Sequence, residues 1–233
     1  MRFCVIIPTY QGEKTLPKLF EKLMKIVPKE DILVVDDGST DETVEICKKN
    51  NIEFISHHKN RGKGFALRTG FRWAIRSDYD AIITIDADLQ HPPEYIPKFI
   101  EELENGADLV VGNRMQDIKT MPIERKISNF LSSFFVSLLA GKKFLDSQCG
   151  FRAIRRWVIE KSHLYFDRYQ MESELLIESA RIGANIKFIP IPTIYNGNES
   201  HFNSILDTIR FILFVLFYYP TRIKKIFEKS CKN

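Results

Sequence analysis

The sequence lacks most of the features that confine a chain to a specialised class. Its 233 residues include only four cysteines, Cys4, Cys47, Cys149 and Cys231, none in a Cys-x-x-Cys pair and none with a histidine at zinc-finger spacing. A disulfide framework and a structural zinc site are both disfavoured, and reduced thiols in a cytosolic compartment are the simple expectation. No uncharged apolar stretch reaches the roughly 18–20 residues a membrane-spanning helix needs. Residues 3–7 already form a strand-like run, which leaves no room for a secretory signal ahead of it. Charge of one sign is missing too: 34 Lys+Arg against 30 Asp+Glu leave a net +4, too mild to call for a nucleic-acid partner. There is no internal repeat and no low-complexity linker. What is present is ordinary globular material, 44% hydrophobic, in a chain long enough to bury a core without staples.

The first 115 residues alternate short Val/Ile-rich runs with helical patterns. Strands are expected at 3–7, 32–35, 53–56, 81–85 and 109–112, each bounded by turn residues. Helices are expected at 16–24, 43–49, 64–75 and 93–103, the second behind a Ser39-Thr-Asp41 capping segment and the fourth with proline in its first turn. This alternation predicts an α/β fold: a mostly parallel sheet with helices on both faces, whose ligands bind beyond the carboxyl ends of the strands. The second half adds a helix over 125–141, another at 172–180 and a strand at 187–194. In the first of these, Ile127, Phe130, Leu131, Phe134, Phe135, Leu138 and Leu139 form one stripe, with Ser and Asn opposite. The stripe can pack on the core, or lie in a membrane interface beside Arg125, Lys126, Lys142 and Lys143; residues 211–219 repeat the arrangement between basic flanks.

The residues after the strands carry the chemistry. Asp86-Ala-Asp88 can turn two carboxylates toward a hard divalent cation, Mg²⁺ or Mn²⁺, with Gln90 as a neutral oxygen donor; the alternative is a cluster capping the next helix. Asp36 and Asp37 suit ribose hydroxyls or a base edge, or a plain turn. Gly62-Lys63-Gly64 matches neither a P-loop nor a dinucleotide fingerprint, yet Lys63 and nearby amides can face a phosphate. Arg114, Arg125 and Arg152 have the guanidinium geometry for phosphate. Cys149 has no histidine partner in sequence and reads as a small buried residue, and His57-His58 reads as surface loop.

Taken in order, Pro8-Thr-Tyr10, Val35-Asp36-Asp37-Gly38-Ser39-Thr40-Asp41, Asn60-Arg-Gly62-Lys-Gly64-Phe-Ala66, Asp86-Ala-Asp88-Leu-Gln90-His91-Pro-Pro-Glu94, Gly112-Asn-Arg114 and Gln148-Cys-Gly150-Phe-Arg152 resemble the inverting GT-A glycosyltransferases. Within these the chain is most similar to the dolichyl- and polyprenyl-phosphate sugar synthases, over residues 1–205. The resemblance implies transfer of a sugar, with inversion, from a nucleotide-diphosphate sugar of the GDP-mannose or UDP-glucose type to a polyprenyl phosphate. It implies that Pro8, Tyr10, Glu13, Asp36, Asp37, Lys63, Asp86 and Asp88 bind the donor, and that Asp86, Asp88 and Gln90 hold the metal. It further implies that Arg114, Arg125 and Arg152 meet the acceptor phosphate, with Asp88, Arg114 and Arg152 central to catalysis. The family often has Asn-Glu after its Pro-x-Tyr; here Gln11-Gly12 stands there, with Glu13 next.

The reading is a GT-A domain over 1–205 and a basic amphipathic tail over 206–233 that associates with the membrane. The protein would work peripherally at the cytoplasmic face, alone or with a separate membrane partner. Two rivals are a transferase acting on a soluble glycan or protein, in which the Phe-rich helices are core, and a non-catalytic nucleotide-sugar-binding module. A haloacid-type phosphatase is disfavoured by Leu89 after Asp88, where Thr or Val would be expected.

Overall fold

The computed structural model describes residues 1–115, 123–192, 194, 211 and 213–215; the side chains of Glu124 and Arg125 lie outside that description. Seven strands form one sheet: β1 (Phe3–Thr9), β2 (Ile32–Asp36), β3 (Glu53–Ser56), β4 (Ala81–Thr84), β5 (Leu109–Asn113), β6 (Arg152–Arg155) and β7 (Ile186–Pro190), in the order β3-β2-β1-β4-β6-β5-β7. β6 is antiparallel to both neighbours, and every other pairing is parallel. The helices among the described residues are α1 (Leu16–Leu23), α2 (Thr43–Lys49), α3 (Lys63–Arg76), α4 (Ile96–Glu104), α5 (Ile123–Ala140), α6 (Arg156–Lys161) and α7 (Gln170–Arg181).

The apolar runs explain the sheet. Successive residues of a strand point to opposite faces, and Cys4, Val5, Ile6 and Ile7 all have no exposed surface. Both faces of β1 are therefore covered, as parallel sheets require. α3 packs on β1 and β2, and α4 on β5 and β6. The contact of α3 with β1 is close because residue 70 is glycine: a Cβ there would stand 2.6 Å from Cγ2 of Ile6.

The expected strands and helices of the first 115 residues appear within two residues of their expected ends, except that the fourth helix is α-helical only from Ile96, three residues later, behind a 3-10 turn at Pro93–Tyr95. β6 and α6 were not foreseen. Arg152-Ala-Ile-Arg155 has charges at both ends and no alternation, so it does not read as a strand, yet it is inserted between β4 and β5 and largely buried. The strand expected over 187–194 stops at Pro190, because Pro190 and Pro192 have no amide hydrogens to continue the ladder. Of the expected tail, only residues 211 and 213–215 fall among the described ones; Phe214 is buried edge-to-face against Phe166, with ring centroids 4.9 Å apart.

The strand order also locates the crevice. From β1 the chain builds outward to β2 and β3, then returns to place β4 on the other side of β1. In open α/β sheets this reversal leaves a gap beyond the carboxyl ends of the two strands, where ligands bind. Here those ends are Thr9–Tyr10 and the turn at Asp86. Both following loops hold a non-glycine residue in the left-handed region, Gln11 at φ 56° and Leu89 at φ 62°.

Gly70→Ala is expected to lower stability by about 1–3 kcal/mol through overpacking against Ile6, measured by urea unfolding; a loss below about 0.5 kcal/mol would mean that Ile6 has room to move.

Candidate functional site

The turn after β4 carries Asp86, Asp88, Gln90 and His91. Oδ1 of Asp86 lies 2.6 Å from Nζ of Lys63, at the start of α3, and the same Nζ lies 2.8 Å from Oε1 of Glu172, in the first turn of α7. One ammonium thus bridges carboxylates from β4 and α7. His91, itself buried, places Nε2 3.6 Å from Oδ2 of Asp86. Gly150 closes the far side: a Cβ at that position would be 2.5 Å from Oδ2 of Asp86 and 2.8 Å from Nζ of Lys63. Its carbonyl is pinned by the Thr84 hydroxyl at 2.7 Å.

The electrostatics follow from this packing. Burial pushes the Asp86 carboxyl up, but Lys63 and then His91 outweigh it and hold the group well below the usual range. Burial acts to lower Lys63, and Asp86 and Glu172 reverse this and hold the ammonium above its ordinary value. Asp88 is raised, first by burial and then by the negative charge of Asp86. Its Oδ1 accepts the amide of Gln90 at 2.9 Å. Two carboxylates share one turn, and the charge of Asp86 disfavours that of Asp88; such a pair is a donor set for a hard cation. Among the described residues, no three His, Cys, Asp or Glu side chains converge as a metal cage. The residues therefore fit a cation attached through one or two carboxylates, with water and substrate phosphate completing its shell.

The other side of the crevice is built from the ends of β1, β2 and β3. Pro8 is buried within β1 and Tyr10 is 38% exposed at its end. The loop after β1 is fastened to the loop after β2: the amides of Gln11, Gly12 and Glu13 donate to Ser39 Oγ, Thr43 Oγ1 and Asp41 Oδ2 at 2.8, 2.8 and 3.1 Å. Glu13 in turn accepts the Glu42 amide at 3.2 Å. Asp36 is fully buried, its oxygens taken by the Ser39 amide (3.0 Å) and the Ser56 hydroxyl (2.6 Å). Asp37 accepts the amides of Arg61 (3.0 Å) and Gly62 (2.6 Å) and pairs with Nδ1 of His57 at 2.8 Å. Both aspartates hold loops together in this structure. His57 corrects the surface-loop expectation: its ring is wedged between Asp37 and the Thr69 hydroxyl, while His58 is exposed as expected. The expected phosphate-facing amides after Gly62 are also differently employed. The Phe65 amide donates to the Asp167 carbonyl at 2.9 Å, and the glycines at 62 and 64 let the 166–168 backbone pass close.

The three arginines part company. Arg114 grips Asp146 through Nε and Nη2, at 2.8 and 3.0 Å. Arg152 is 1% exposed and donates to the carbonyls of Cys149, Glu172 and Ser147 at 2.8, 2.6 and 2.9 Å, so it ties the loop before β6 to α7 rather than facing the crevice. The side chain of Arg125 lies outside the described residues. Cys149 is buried, and desolvation pushes its thiol up to about 12, as befits an inert packing residue.

Asp146 is also the anchor of α5. Its Oδ1 accepts Nδ2 of Asn129 at 2.9 Å, and Ser147 meets Ser132 and Ser133 at 3.1 and 3.2 Å. The helix therefore turns its Asn/Ser side inward. Its apolar stripe points away from the protein: Phe130 is 68% exposed, Phe134 56% and Leu138 69%. Of the two placements open to the stripe, packing on the core is not the one adopted among the described residues.

Glu172, His57 and Asp146 complete the site but were not among the expected functional residues. Glu172 read only as the acidic start of a helix, and no spacing rule joins a residue to a carboxylate 86 positions away.

Burial raises Asp146, but Arg114 outweighs it and holds the carboxyl below its ordinary 3.8. Such a group stabilises the fold fully above its unfolded-state value, and that contribution is lost as the pH falls through the lower folded value. Asp146→Asn should therefore cost about 3 kcal/mol at neutral pH by removing the buried charge to which Arg114 and Asn129 are bonded. The gap from wild type should narrow as the pH drops below 3.8, measured by urea unfolding at each pH; a gap independent of pH would rule out this assignment.

The fold has counterparts in known proteins. The family model described as Glycosyl transferase family 2 matches residues 4–162. Undecaprenyl-phosphate mannosyltransferase of Micrococcus luteus is 33% identical over 202 residues, covering 82% of this chain and 83% of that protein. UDP-N-acetylglucosamine–dolichyl-phosphate N-acetylglucosaminyltransferase of Methanococcus voltae is 34% identical over 214 residues, with 82% and 85% covered. Among solved structures, glucosyl-3-phosphoglycerate synthase from Mycobacterium tuberculosis, in complex with Mn²⁺, UDP-glucose and phosphoglyceric acid, is similar with a TM-score of 0.71 at 19% identity, over 93% of this chain and 79% of that one. That last likeness is one of fold. With the family model spanning most of β1 to α6 and the mixed sheet shared with solved glycosyltransferases, the chain belongs to glycosyl transferase family 2 and has a GT-A fold.

Proposed function

We propose that this glycosyltransferase moves a sugar from a nucleotide-diphosphate sugar to a polyprenyl phosphate, with inversion and with the help of a divalent cation, at the surface of a membrane. The observation that carries the reading is the continuity between an apolar surface and the polar crevice. The outward face of α5 offers Phe130, Phe134 and Leu138, and the inward face of the same helix is bonded to Asp146, which grips Arg114 at the end of β5. An acceptor with an apolar chain and an anionic head matches both ends of that arrangement. Relatives whose names specify undecaprenyl phosphate and dolichyl phosphate support the acceptor class, and they differ in the sugar they transfer.

The residue roles follow from chemistry. An ionised phosphate is already a nucleophile, so no general base is required of the protein. What the chain supplies is alignment and charge. Asp86 and Asp88, with Gln90 beside them, would hold the cation, which when bound neutralises the diphosphate leaving group. Lys63 adds a positive charge at the same rim. Pro8 and Tyr10 line the nucleoside side, with Glu13, Asp36 and Asp37 holding the loops that shape it. Arg114 and Arg125 take the acceptor phosphate, and Arg152 keeps the loop before β6 in position. Among the described residues no helix is long and apolar enough to cross a membrane. The α5 face and the tail over 206–233 would hold the protein at the cytoplasmic surface, and a membrane-protein partner can add to that attachment.

The test is a panel of GDP- and UDP-sugars with undecaprenyl phosphate in liposomes, scored by nucleotide release and by lipid-linked product. Asp88→Ala should lower turnover by about 10²-fold or more, the scale expected for losing electrostatic stabilisation of a leaving group. Unchanged turnover would discard the cation assignment. Each phenylalanine buried in lipid is worth about 1.5–3 kcal/mol, so Phe130→Asp and Phe134→Asp should each reduce liposome partitioning by roughly tenfold or more. Unchanged partitioning, with activity on soluble acceptors, would favour a non-lipid substrate.

A further inference from the structure

We propose that Lys63 is a resident counter-ion that keeps the aspartate pair from taking up a divalent cation until the donor's diphosphate arrives. The inference rests on the reading of the site given above and adds the order of assembly. Asp86 is the inner member of the pair, and its Oδ1 already holds a cation, the Lys63 ammonium at 2.6 Å. That ammonium is not a free surface group. Its side chain is only 16% exposed, Glu172 holds it from the other side at 2.8 Å, and the Tyr169 ring lies 5.9 Å away. Gly150 packs so near Asp86 and Lys63 that a single added carbon would collide with both. A cation entering at Asp86 must therefore compete with an ion pair that is shielded from water and braced from behind.

The charges give the reason for the delay. Asp86, Asp88 and Glu172 against Lys63 and Arg152, the buried guanidinium whose charge bears on Glu172 and Asp86, leave one net negative charge, enough to attract a divalent ion weakly while one of the best ligands is occupied. A diphosphate changes the balance in two ways. It brings oxygen ligands of its own, and it offers the ammonium a new partner, so Lys63 can leave Asp86 without being stranded. Cation and nucleotide then favour each other's binding, and by linkage the gain is reciprocal. Before the donor binds, Lys63 acts on the cation site through Asp86; once the donor has bound, its ammonium faces the diphosphate.

The experiment measures Mn²⁺ binding directly, by the electron paramagnetic resonance signal of free Mn²⁺, with and without excess UDP or GDP and without any turnover. Wild type should bind Mn²⁺ weakly alone and much more tightly with one of the nucleotides. Lys63→Met should bind Mn²⁺ alone roughly tenfold to a hundredfold more tightly than wild type, the range for removing a unit charge a few ångströms away, and its gain from nucleotide should shrink. Glu172→Gln should move the other way, with Mn²⁺ alone bound more weakly, because the ammonium is released wholly to Asp86. Damage to the fold would weaken both variants, so opposite signs separate the proposal from misfolding. Nucleotide-promoted Mn²⁺ binding in wild type with no tightening in Lys63→Met would overturn the counter-ion role alone. An absence of Mn²⁺ binding in wild type and variant, with or without nucleotide, would overturn the cation-dependent reading as well.

Discussion

A single ammonium group at the mouth of the sheet does what no hydrophobic contact in this fold can do. Lys63 begins α3, Asp86 ends the run from β4, and Glu172 begins α7, and the three meet through one nitrogen. Three elements distant in sequence are thereby fixed relative to one another at the point where the sheet order reverses. The energetic argument is asymmetric. A buried ion pair gives modest net stability, because desolvation offsets most of the attraction. Removing one member is expensive, because the others are left charged and enclosed. Such a cluster is better suited to defining a geometry than to stabilising a fold, and the close approach of Gly150 reinforces that constraint.

A second cluster repeats the logic at the end of β5. Asp146 receives the Arg114 fork, the Asn129 amide and the backbone of its own loop while having no exposed surface. Arg152, buried beside it, gives its guanidinium to three carbonyl groups, those of Cys149, Ser147 and Glu172. The two clusters touch the same short segment before β6, one through Gly150 and the other through Ser147 and Cys149. The antiparallel strand that follows is what carries this segment across the sheet, between β4 and β5, to meet the ends of both.

Much of this was legible in the sequence, and the exceptions have physical causes. The parallel half was legible because its strands are buried on both faces and read as unbroken Val/Ile runs. The polar strand ends were legible because six motifs, from Pro8-Thr-Tyr10 through Asp86-Ala-Asp88 to Arg152, stand in order along the chain. β6 was not, because Arg152 is a buried arginine held by carbonyls of the loop just before it and of Glu172 on α7, a pairing that only the folded chain reveals. His57 was misjudged for a similar reason: its partner, Asp37, is 20 positions away and meets it only once β2 and β3 lie side by side. The stripe on α5 was visible as periodicity, but periodicity names the two faces of a helix without saying which one turns inward. That was decided by the Ser147 and Asp146 side chains waiting to be paired.

The inverted orientation of α5 has a consequence for how the protein meets its surroundings. Most surface helices are held by oil on the inside and tolerate small rotations, since apolar contacts are non-directional. α5 is held by directional bonds from Asn129, Ser132 and Ser133, and a turn of even one residue about its axis would break them together. Its greasy side is therefore aimed, as a sled runner is fixed beneath its frame, and the bonds that aim it end on Asp146 and Ser147, in the loop before β6.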